Sequence, residues 1–377
     1  MCGMVTVLPG PLLPVMAAQW GLRDVQSGAF FAAVFAASTV GSIFSPHWLR
    51  KNLPLGYAAM TCGVLLLMAG EMARAAVGHV MALIAFALIG LGIGLSVTAT
   101  NLTVGMMAET AGPGERARRI SLVNLWWGVG AVACPWLIAA AERAGVLRWL
   151  LAALAAGTAS MFWALLPLWR GSRLGVMAAP RASLRSEAGV LAFFAAFLFL
   201  YVGVETAVGG WITTYTIRFS GMALADASLM VSAYWLALLA GRWLGSLALA
   251  KVAERTVLLA GLVVALLAVA VLVAPHGRAA VLTAVAAAGA GFGPVFPIGV
   301  SRMLARVRDH RNTGWVFAVT ASGGAVLPWL TGLVSTRTGS LRDGFGVAMA
   351  AMAAILVLAV GEGRLLGRPR PWPADPS

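Results

Sequence analysis

Two charged residues lie well inside long apolar stretches of this sequence. Glu205 lies in YVGVETAVGGWITTY, and Arg242 lies in AYWLALLAGRWLGS. A charged side chain at the centre of a bilayer costs about 2.5–3.5 kcal/mol on insertion scales, so each residue is expected to face a polar cavity or a partner. A carboxyl group in such a cavity can bind and release a proton. We therefore predict that Glu205 couples proton movement to solute binding, with a purely structural, hydrogen-bonded Glu as the alternative.

Arg242 is predicted to act separately from Glu205, with an ion pair between the two as the alternative. Counted from the predicted inner ends of their helices, the two Cα atoms differ in height by about 12 Å, at 1.5 Å per residue. Arg242 is therefore expected to extend toward the inner loop as a gating charge. The lysine pair of the inner loops, Lys51 and Lys251, and the neighbouring Arg50 are predicted to serve as gating or structural charges as well.

Amide and aromatic side chains predicted to lie near the middle of the membrane form the candidate lining of a solute site. Amides can bond the hydroxyl groups of a small polar solute, and flat aromatic rings can cover its C–H surface. The amides are the stronger candidates because an unpaired amide in hydrocarbon is costly, whereas a Trp at a helix end is commonly an interfacial residue. The predicted lining consists of Asn101, Asn124, Trp127, Trp211, Tyr215, Tyr234, Trp235 and Trp315, with Glu205.

The composition places these residues in an all-α membrane protein. Of the 377 residues, 60% are hydrophobic and 11% are charged, whereas about a quarter of a soluble domain is charged. At about 20 residues per membrane-spanning helix, the apolar segments predict twelve spans. They cover about 1–20, 26–45, 53–70, 79–107, 119–140, 146–168, 189–216, 226–250, 256–274, 279–304, 313–335 and 344–365.

The basic residues predict how the chain is oriented. With both termini cytoplasmic, the predicted inner loops hold 18 of the 27 Lys and Arg residues and the outer loops hold 8. This excess is the positive-inside pattern, so we expect a multi-pass protein of the bacterial inner membrane. The net charge of +14 is spread loop by loop rather than gathered into a stripe. Nucleic-acid binding is therefore not predicted.

Internal similarity divides the chain into two related bundles of six helices. The most polar interior stretch is expected to be a cytoplasmic linker between them. Matched motifs recur in the same order about 200 residues apart: GAVACPWL at 130–137 with GAVLPWL at 324–330, GLGIG at 90–94 with GAGFG at 289–293, and Lys51 with Lys251. The predicted units are a first bundle at 1–168, the linker at 169–188, a second bundle at 189–365 and a short cytoplasmic tail at 366–377.

Prolines are predicted to break three helices and let the bundles rock. They are Pro135 in the fifth span, Pro294 and Pro297 in the tenth, and Pro328 in the eleventh. No metal site, cofactor or enzyme activity is predicted, because the three Cys and four His are scattered and no catalytic motif occurs. The glycines at 90–94 follow no strand, so they do not form a nucleotide site.

The motifs of the second half resemble those of the fucose/glucose permease group of the major facilitator superfamily. They are YVGVETAVGGWITTY, AYWLALLAGRWLGS, GAGFGPVFPIG and GGAVLPWLTG, joined in the first half by LPGPLLPVMAAQWGLRD. The resemblance implies two pseudo-symmetric six-helix bundles, alternating access and proton-coupled uptake of a sugar or polyol. The superfamily's usual Asp after the second span is replaced by Ser45. The acidic residues that fucose permeases carry in spans 1 and 4 do not occur here.

Other readings stay open on the sequence alone. Proton-coupled efflux of a drug or metabolite is the alternative within transport, and a solute sensor that moves nothing is the alternative class. The expected partners are a small solute, protons and the lipid bilayer, with the protein a monomer. The chain begins within an apolar segment, so we expect the first helix to be clipped by about one to three turns.

Overall fold

The protein is helical throughout the part of the chain that the computed structural model describes. That part comprises residues 1–22, 24–70, 73, 75–107, 113–170, 184–274, 277–307, 309 and 312–367. Most of the predicted linker, at 171–183, and most of the predicted tail, at 368–377, lie outside the described residues. The basic residues Arg23, Arg74, Arg308 and Arg311 lie outside them as well.

The first half of the chain contains seven α-helices and one short 3-10 helix among its described residues. They are α1 (Cys2–Val7), α2 (Pro9–Trp20), α3 (Asp24–Phe44), a 3-10 turn (Ser45–His47), α4 (Leu49–Gly70), α5 (Ala75–Met107), α6 (Pro113–Arg143) and α7 (Leu147–Arg170).

The second half contributes seven more α-helices. They are α8 (Leu184–Ser220), α9 (Leu224–Ala248), α10 (Glu254–Val273), α11 (Arg278–Phe292), α12 (Val295–Leu304), α13 (Thr313–Thr338) and α14 (Leu341–Leu366). Among the described residues of the whole chain, ten helical stretches are long and apolar enough to cross a membrane, with α11 and α12 counted as one stretch. The chain is therefore a multi-pass membrane protein.

Two helix pairs join the halves of the chain. Helix α3 packs along α13, and α6 packs along α9. Within the halves, α4 packs on α5 and α7, and α8 packs on α13. Because α3 also packs on α5, the central helices of the two halves surround a common interior, and the side chains of the candidate site project from them.

Helix breaks at proline follow the prediction in one of three cases. The tenth span is interrupted at Gly293–Pro294, between α11 and α12, and Pro297 lies in the first turn of α12. The predicted breaks at Pro135 and Pro328 are wrong, because α6 and α13 continue through them. A proline removes a single main-chain hydrogen bond, and neighbouring groups in a packed membrane helix can compensate for that loss.

Neutral hydrogen bonds hold the turn after α3. The Ser45 hydroxyl donates to the Leu95 carbonyl on α5 at 2.8 Å. The Asn52 side-chain amide donates to the carbonyls of Phe44 and Ser45 at 3.2 and 3.0 Å. Ser45 stands where an acidic residue is usual in the family that the motifs resemble, so uncharged contacts take the place of a charged one here.

Glycines allow two helix pairs to approach closely. A Cβ atom added at Gly90 on α5 would collide with the Val34 carbonyl on α3, and one added at Gly289 on α11 would collide with the Tyr234 carbonyl on α9. The two contacts involve positions about 200 residues apart in both members of the pair. The same close packing therefore recurs in each half.

We predict that Gly90→Ala and Gly289→Ala each destabilise the protein by about 1–3 kcal/mol, because the added methyl group forces two backbones apart. Gly346→Ala in α14 is the matched control, since no atom lies within 4 Å of its added Cβ, and alanine is the better helix former. Thermal unfolding of the purified protein in detergent measures all three. Equal unfolding temperatures for the three variants would contradict the close packing.

Candidate functional site

A cavity of about 140 Å³ lies between the two halves of the chain. Helices α1 to α3, α5 and α6 contribute its wall from the first half. Helices α8, α9, α12 and α13 contribute the wall from the second half. Phe35 and Ala321, from the middle of α3 and α13, both line it. The cavity is therefore enclosed by residues from both halves of the chain.

A buried ion pair lies in this cavity. Arg242 Nη2 is 3.4 Å from Glu205 Oε1, and the residues are 3% and 7% exposed. The prediction that Arg242 turns away toward the inner loop is therefore wrong. A height difference between Cα atoms neglects the reach of the two side chains, and a charge buried without a partner is far more costly than a stretched side chain.

The Arg242 side chain also reaches the first half of the chain. Its Nη1 donates to the Asn124 carbonyl on α6 at 3.1 Å, and its guanidinium lies 5.3 Å from the centre of the Trp127 ring. Asn124 in turn donates through Nδ2 to Asn101 Oδ1 on α5 at 2.9 Å. One side chain of α9 thus connects the carboxylate of α8 to the polar groups of α5 and α6.

Two tyrosines orient Glu205 from its own side of the cavity. The Tyr201 hydroxyl, one turn earlier on α8, lies 3.0 Å from Glu205 Oε1 and 3.0 Å from the Phe292 carbonyl oxygen. The Tyr234 hydroxyl donates to the Glu205 main-chain carbonyl at 3.1 Å. Both tyrosines are fully buried. Glu205 is therefore fixed by its side chain and by its backbone.

The rest of the cavity wall is mainly apolar, with aromatic rings and scattered hydroxyl groups. The aromatic rings come from both halves, as do the Ser and Thr side chains. Trp127 and Trp235 meet edge to face, with ring centres 5.4 Å apart. The wall includes Thr6, Phe31, Phe35, Ser38, Ser42, Thr98, Thr206, Phe296, Phe317 and Thr320. Such a wall can bond a few hydroxyl groups and cover an apolar face.

Four of the predicted lining residues line this cavity: Asn124, Trp127, Glu205 and Trp235. Asn101 lies one hydrogen bond further on, in a second cavity of about 220 Å³ between α1, α4, α5 and α6. That cavity shares Asn124 and Trp127 with the central one. The two predicted asparagines are therefore brought together at the boundary of two cavities.

Four other predicted lining residues do not line this cavity. Trp211 and Tyr215 are buried among helices and donate to the carbonyls of Pro328 and Leu272, both at 2.9 Å. Tyr234 packs behind Glu205. Trp315 is 56% exposed, near the start of α13. Sequence depth alone does not show which way a side chain faces on its helix, and these four face away from the cavity.

The predicted loop charges lie apart from the cavity. Lys51 is exposed on the first turn of α4, beside the half-buried Arg50, and Lys251 is exposed in the turn after α9. Their role as gating charges stays a prediction. Among the described residues, no group of three or more His, Cys, Asp or Glu is arranged to hold a metal ion.

Sequence reasoning missed a second charge cluster and one partner of Glu205. Arg302 on α12 and Arg306 just after it both pair with Glu362 of α14, at 2.8 and 3.0 Å. Arg302 also reaches Glu254 of α10, at 3.6 Å. Tyr201 could have been found from its spacing, since residues four apart lie on the same face of a helix.

Known proteins resemble this chain over nearly its whole length. The family model of the Major Facilitator Superfamily matches residues 1–328. The chain is 25% identical, over an alignment of 389 residues, to a protein named glucose/galactose transporter from Brucella abortus biovar 1 (strain 9-941), which covers 95% of this chain and 89% of that protein. A protein of the same name from Brucella abortus (strain 2308) matches equally.

Two solved structures share the fold over nearly their whole length. The E. coli fucose:proton symporter superposes with a TM-score of 0.69 at 16% identity, covering 95% of this chain and 96% of that one. A bacterial homologue of the iron transporter ferroportin, in an outward-facing state, gives a TM-score of 0.66 at 12% identity, with 98% and 100% covered. At these identities the likeness shows the fold alone.

We predict that Arg242→Gln lowers the free energy of unfolding by about 3–5 kcal/mol, because it leaves the Glu205 carboxylate buried without its counter-charge. The double variant Glu205→Gln/Arg242→Gln should recover most of that loss. Arg148→Gln, at an exposed position on α7, is the control and should be near neutral. Unfolding in mixed micelles measures the cycle, and strictly additive losses would contradict the pairing.

Proposed function

Because the chain belongs to the Major Facilitator Superfamily, as its motifs predicted, we propose that this secondary transporter carries a small neutral polar solute, a sugar or polyol, with protons. Alternating access to the central cavity would move the solute across the membrane. The observation that carries the proposal is the cavity itself, in which aromatic faces and hydroxyl groups surround a charge-compensated Glu205–Arg242 pair.

The character of the cavity supports a small neutral solute. Among the described residues of its wall, the one carboxylate and the one guanidinium are engaged with each other, which does not favour a charged substrate. The volume of about 140 Å³ is below the range of about 300–1,000 Å³ that is usual for drug-sized ligands. Both features favour a sugar or polyol over the export of bulky drugs.

The names of the relatives agree with this chemistry. The matched Brucella proteins are named for glucose and galactose, and the structural neighbour from E. coli is a fucose:proton symporter. In the site of the present chain, Asn124, Trp127 and Trp235 are the proposed solute contacts of the cavity wall. Arg50, Lys51 and Lys251 are the proposed gating charges of the loops.

The proposed architecture has twelve membrane spans. Two further spans, α9 and the α1–α2 segment, bring the ten apolar stretches to twelve. The α1–α2 segment is interrupted at Leu8 because Pro9, which follows, has no N–H to continue the helical hydrogen bonding. We propose bundles at 1–168 and 189–365, a linker at 169–188 and a tail at 366–377. Both termini would lie in the cytoplasm of a bacterium, with the monomer in the inner membrane.

Coupling follows from the contacts of Arg242. While Glu205 is ionised, its charge holds the guanidinium that also contacts Asn124 and Trp127 of the first half. Protonation of Glu205 removes that attraction, while the contacts of Arg242 with Asn124 and Trp127 of the first half remain. Because the same side chain connects both halves, the protonation state of one carboxyl group can bias how the halves are arranged.

We predict that Glu205→Gln abolishes proton-driven accumulation of sugar in proteoliposomes, while the flux of sugar down its own concentration gradient continues. An amide keeps the shape of the carboxyl group and cannot take up a proton. Uptake of labelled glucose, galactose and fucose, with and without an imposed proton gradient, measures the effect. Asp343→Asn, at an exposed carboxylate on α14, is the matched control and should accumulate sugar as the parent protein does.

The outcomes separate the proposals. Accumulation that persists unchanged in Glu205→Gln would remove Glu205 as the coupling residue. Absence of transport of every sugar and polyol, together with extrusion of a hydrophobic dye, would replace sugar uptake by efflux.

A further inference from the structure

The Thr320 hydroxyl on α13 is buried at the central cavity without a hydrogen-bond partner among the described residues. Thr320 is 4% exposed and lines the cavity. A hydroxyl group withdrawn from water normally has a partner, because leaving it unpaired costs free energy. The lone hydroxyl in the wall of a cavity therefore points to a partner that binds within it.

Two threonines on α13 and α8 make a hydrogen bond that Thr320 does not make. A helical Thr can donate to the carbonyl four residues earlier. Thr331, on the same helix, donates to Leu327 at 2.9 Å, and Thr216 on α8 donates to Ile212 at 2.7 Å. Thr320 makes no such bond. Its hydroxyl group is thus unpartnered on a residue of the cavity wall, whereas that of Thr331 is used within the helix.

A second unpaired group lines the same cavity. Trp235 on α9 is 6% exposed, and its Nε1 has no acceptor in the described structure. The corresponding groups of Trp127 and Trp211 do have acceptors, at Thr6 Oγ1 and the Pro328 carbonyl, 3.3 and 2.9 Å away. The Trp235 ring is held edge to face between Trp127 and Tyr234. An indole N–H held in this way is a fixed donor.

We propose that Trp235 Nε1 and Thr320 Oγ1 are the specificity contacts of the second half and bind hydroxyl oxygens of the transported solute. The proposal rests on the function proposed above and names atoms for it. Trp235 can only donate, and Thr320 can donate and accept, so together they can bond the oxygen of one hydroxyl group and the hydrogen of another. In this proposal the Glu205–Arg242 pair couples proton movement to transport, and uncharged groups recognise the solute.

The first test removes each hydrogen-bonding group in turn. Thr320→Val keeps the shape of the side chain and should raise the KM for sugar uptake roughly threefold to tenfold, with kcat little changed. Trp235→Phe should act in the same direction. Thr320→Ser restores the hydroxyl group and should restore KM. Thr331→Val, on the same helix but outside the cavity, is the control and should leave KM unchanged.

Deoxy sugars identify the matching hydroxyl group. With the parent protein, the monodeoxy analogue that lacks the partner of Thr320 should show the same roughly threefold to tenfold rise in KM. With Thr320→Val, that analogue and the complete sugar should be transported alike, because the interaction is already lost. Equal effects of Thr320→Val on every analogue would overturn the assignment of Thr320 to a sugar hydroxyl.

The second test does not depend on sugar transport. Thr320→Cys is introduced where the native cysteines have been replaced by serine, and it is modified by a small maleimide in proteoliposomes. Glucose, galactose, fucose, sorbitol, serine and uridine are each tested for protection, with Thr331→Cys as the control. We expect Thr320→Cys to react, to be protected by at least one of these neutral hydroxylated solutes, and Thr331→Cys to stay unreactive.

The two tests distinguish the site from the proposed function. Protection by serine or uridine, with no effect of any sugar, would keep Thr320 as a solute contact and overturn sugar transport. Failure of Thr320→Cys to react, or equal reaction in the presence of every solute, would overturn the specificity contact whatever the protein transports.

Discussion

The ion pair between Glu205 and Arg242 is the constraint on which the interior of this protein depends. Charges removed from water must be compensated, and each of these two groups is compensated chiefly by the other, 3.4 Å away. Tyr201 contacts the carboxylate, Tyr234 donates to the main-chain carbonyl of Glu205, and the Asn124 carbonyl accepts from one arm of the guanidinium. The central helices therefore have to approach closely enough for one side chain to contact groups on both halves.

Glycine contacts make that approach possible. The α9–α11 contact at Gly289 places the Tyr234 backbone where its ring can support Glu205, and the α3–α5 contact at Gly90 is its counterpart in the first half. Close backbone contacts favour movement of each helix pair as one unit, because a packed interface resists partial deformation. In the proposed alternating access, movement between the halves would then occur at the contacts between them, of which α3–α13 and α6–α9 are the largest.

Much of the fold could be predicted from the sequence, because apolar length, basic loops and repeated motifs act locally along the chain. The site was predicted in part: unusual residues such as Glu205 and Asn124 were found because polarity in hydrocarbon is conspicuous. Trp211 and Trp315 were misassigned because depth does not determine which face of a helix a residue occupies. Thr320 was missed, since one more helical Thr is unremarkable until its hydroxyl is seen without a partner.

Because the charge of Arg242 offsets that of the Glu205 carboxylate, the net charge of the site depends on whether Glu205 is protonated. Deprotonated, the pair carries no net charge, and protonated it carries one positive charge, to which a neutral solute adds nothing. A membrane potential performs work of about 2.3 kcal/mol per elementary charge for each 100 mV. Voltage would then drive the loaded carrier across and leave the return of the empty carrier unaffected, so Arg242 determines which step of the cycle is electrogenic.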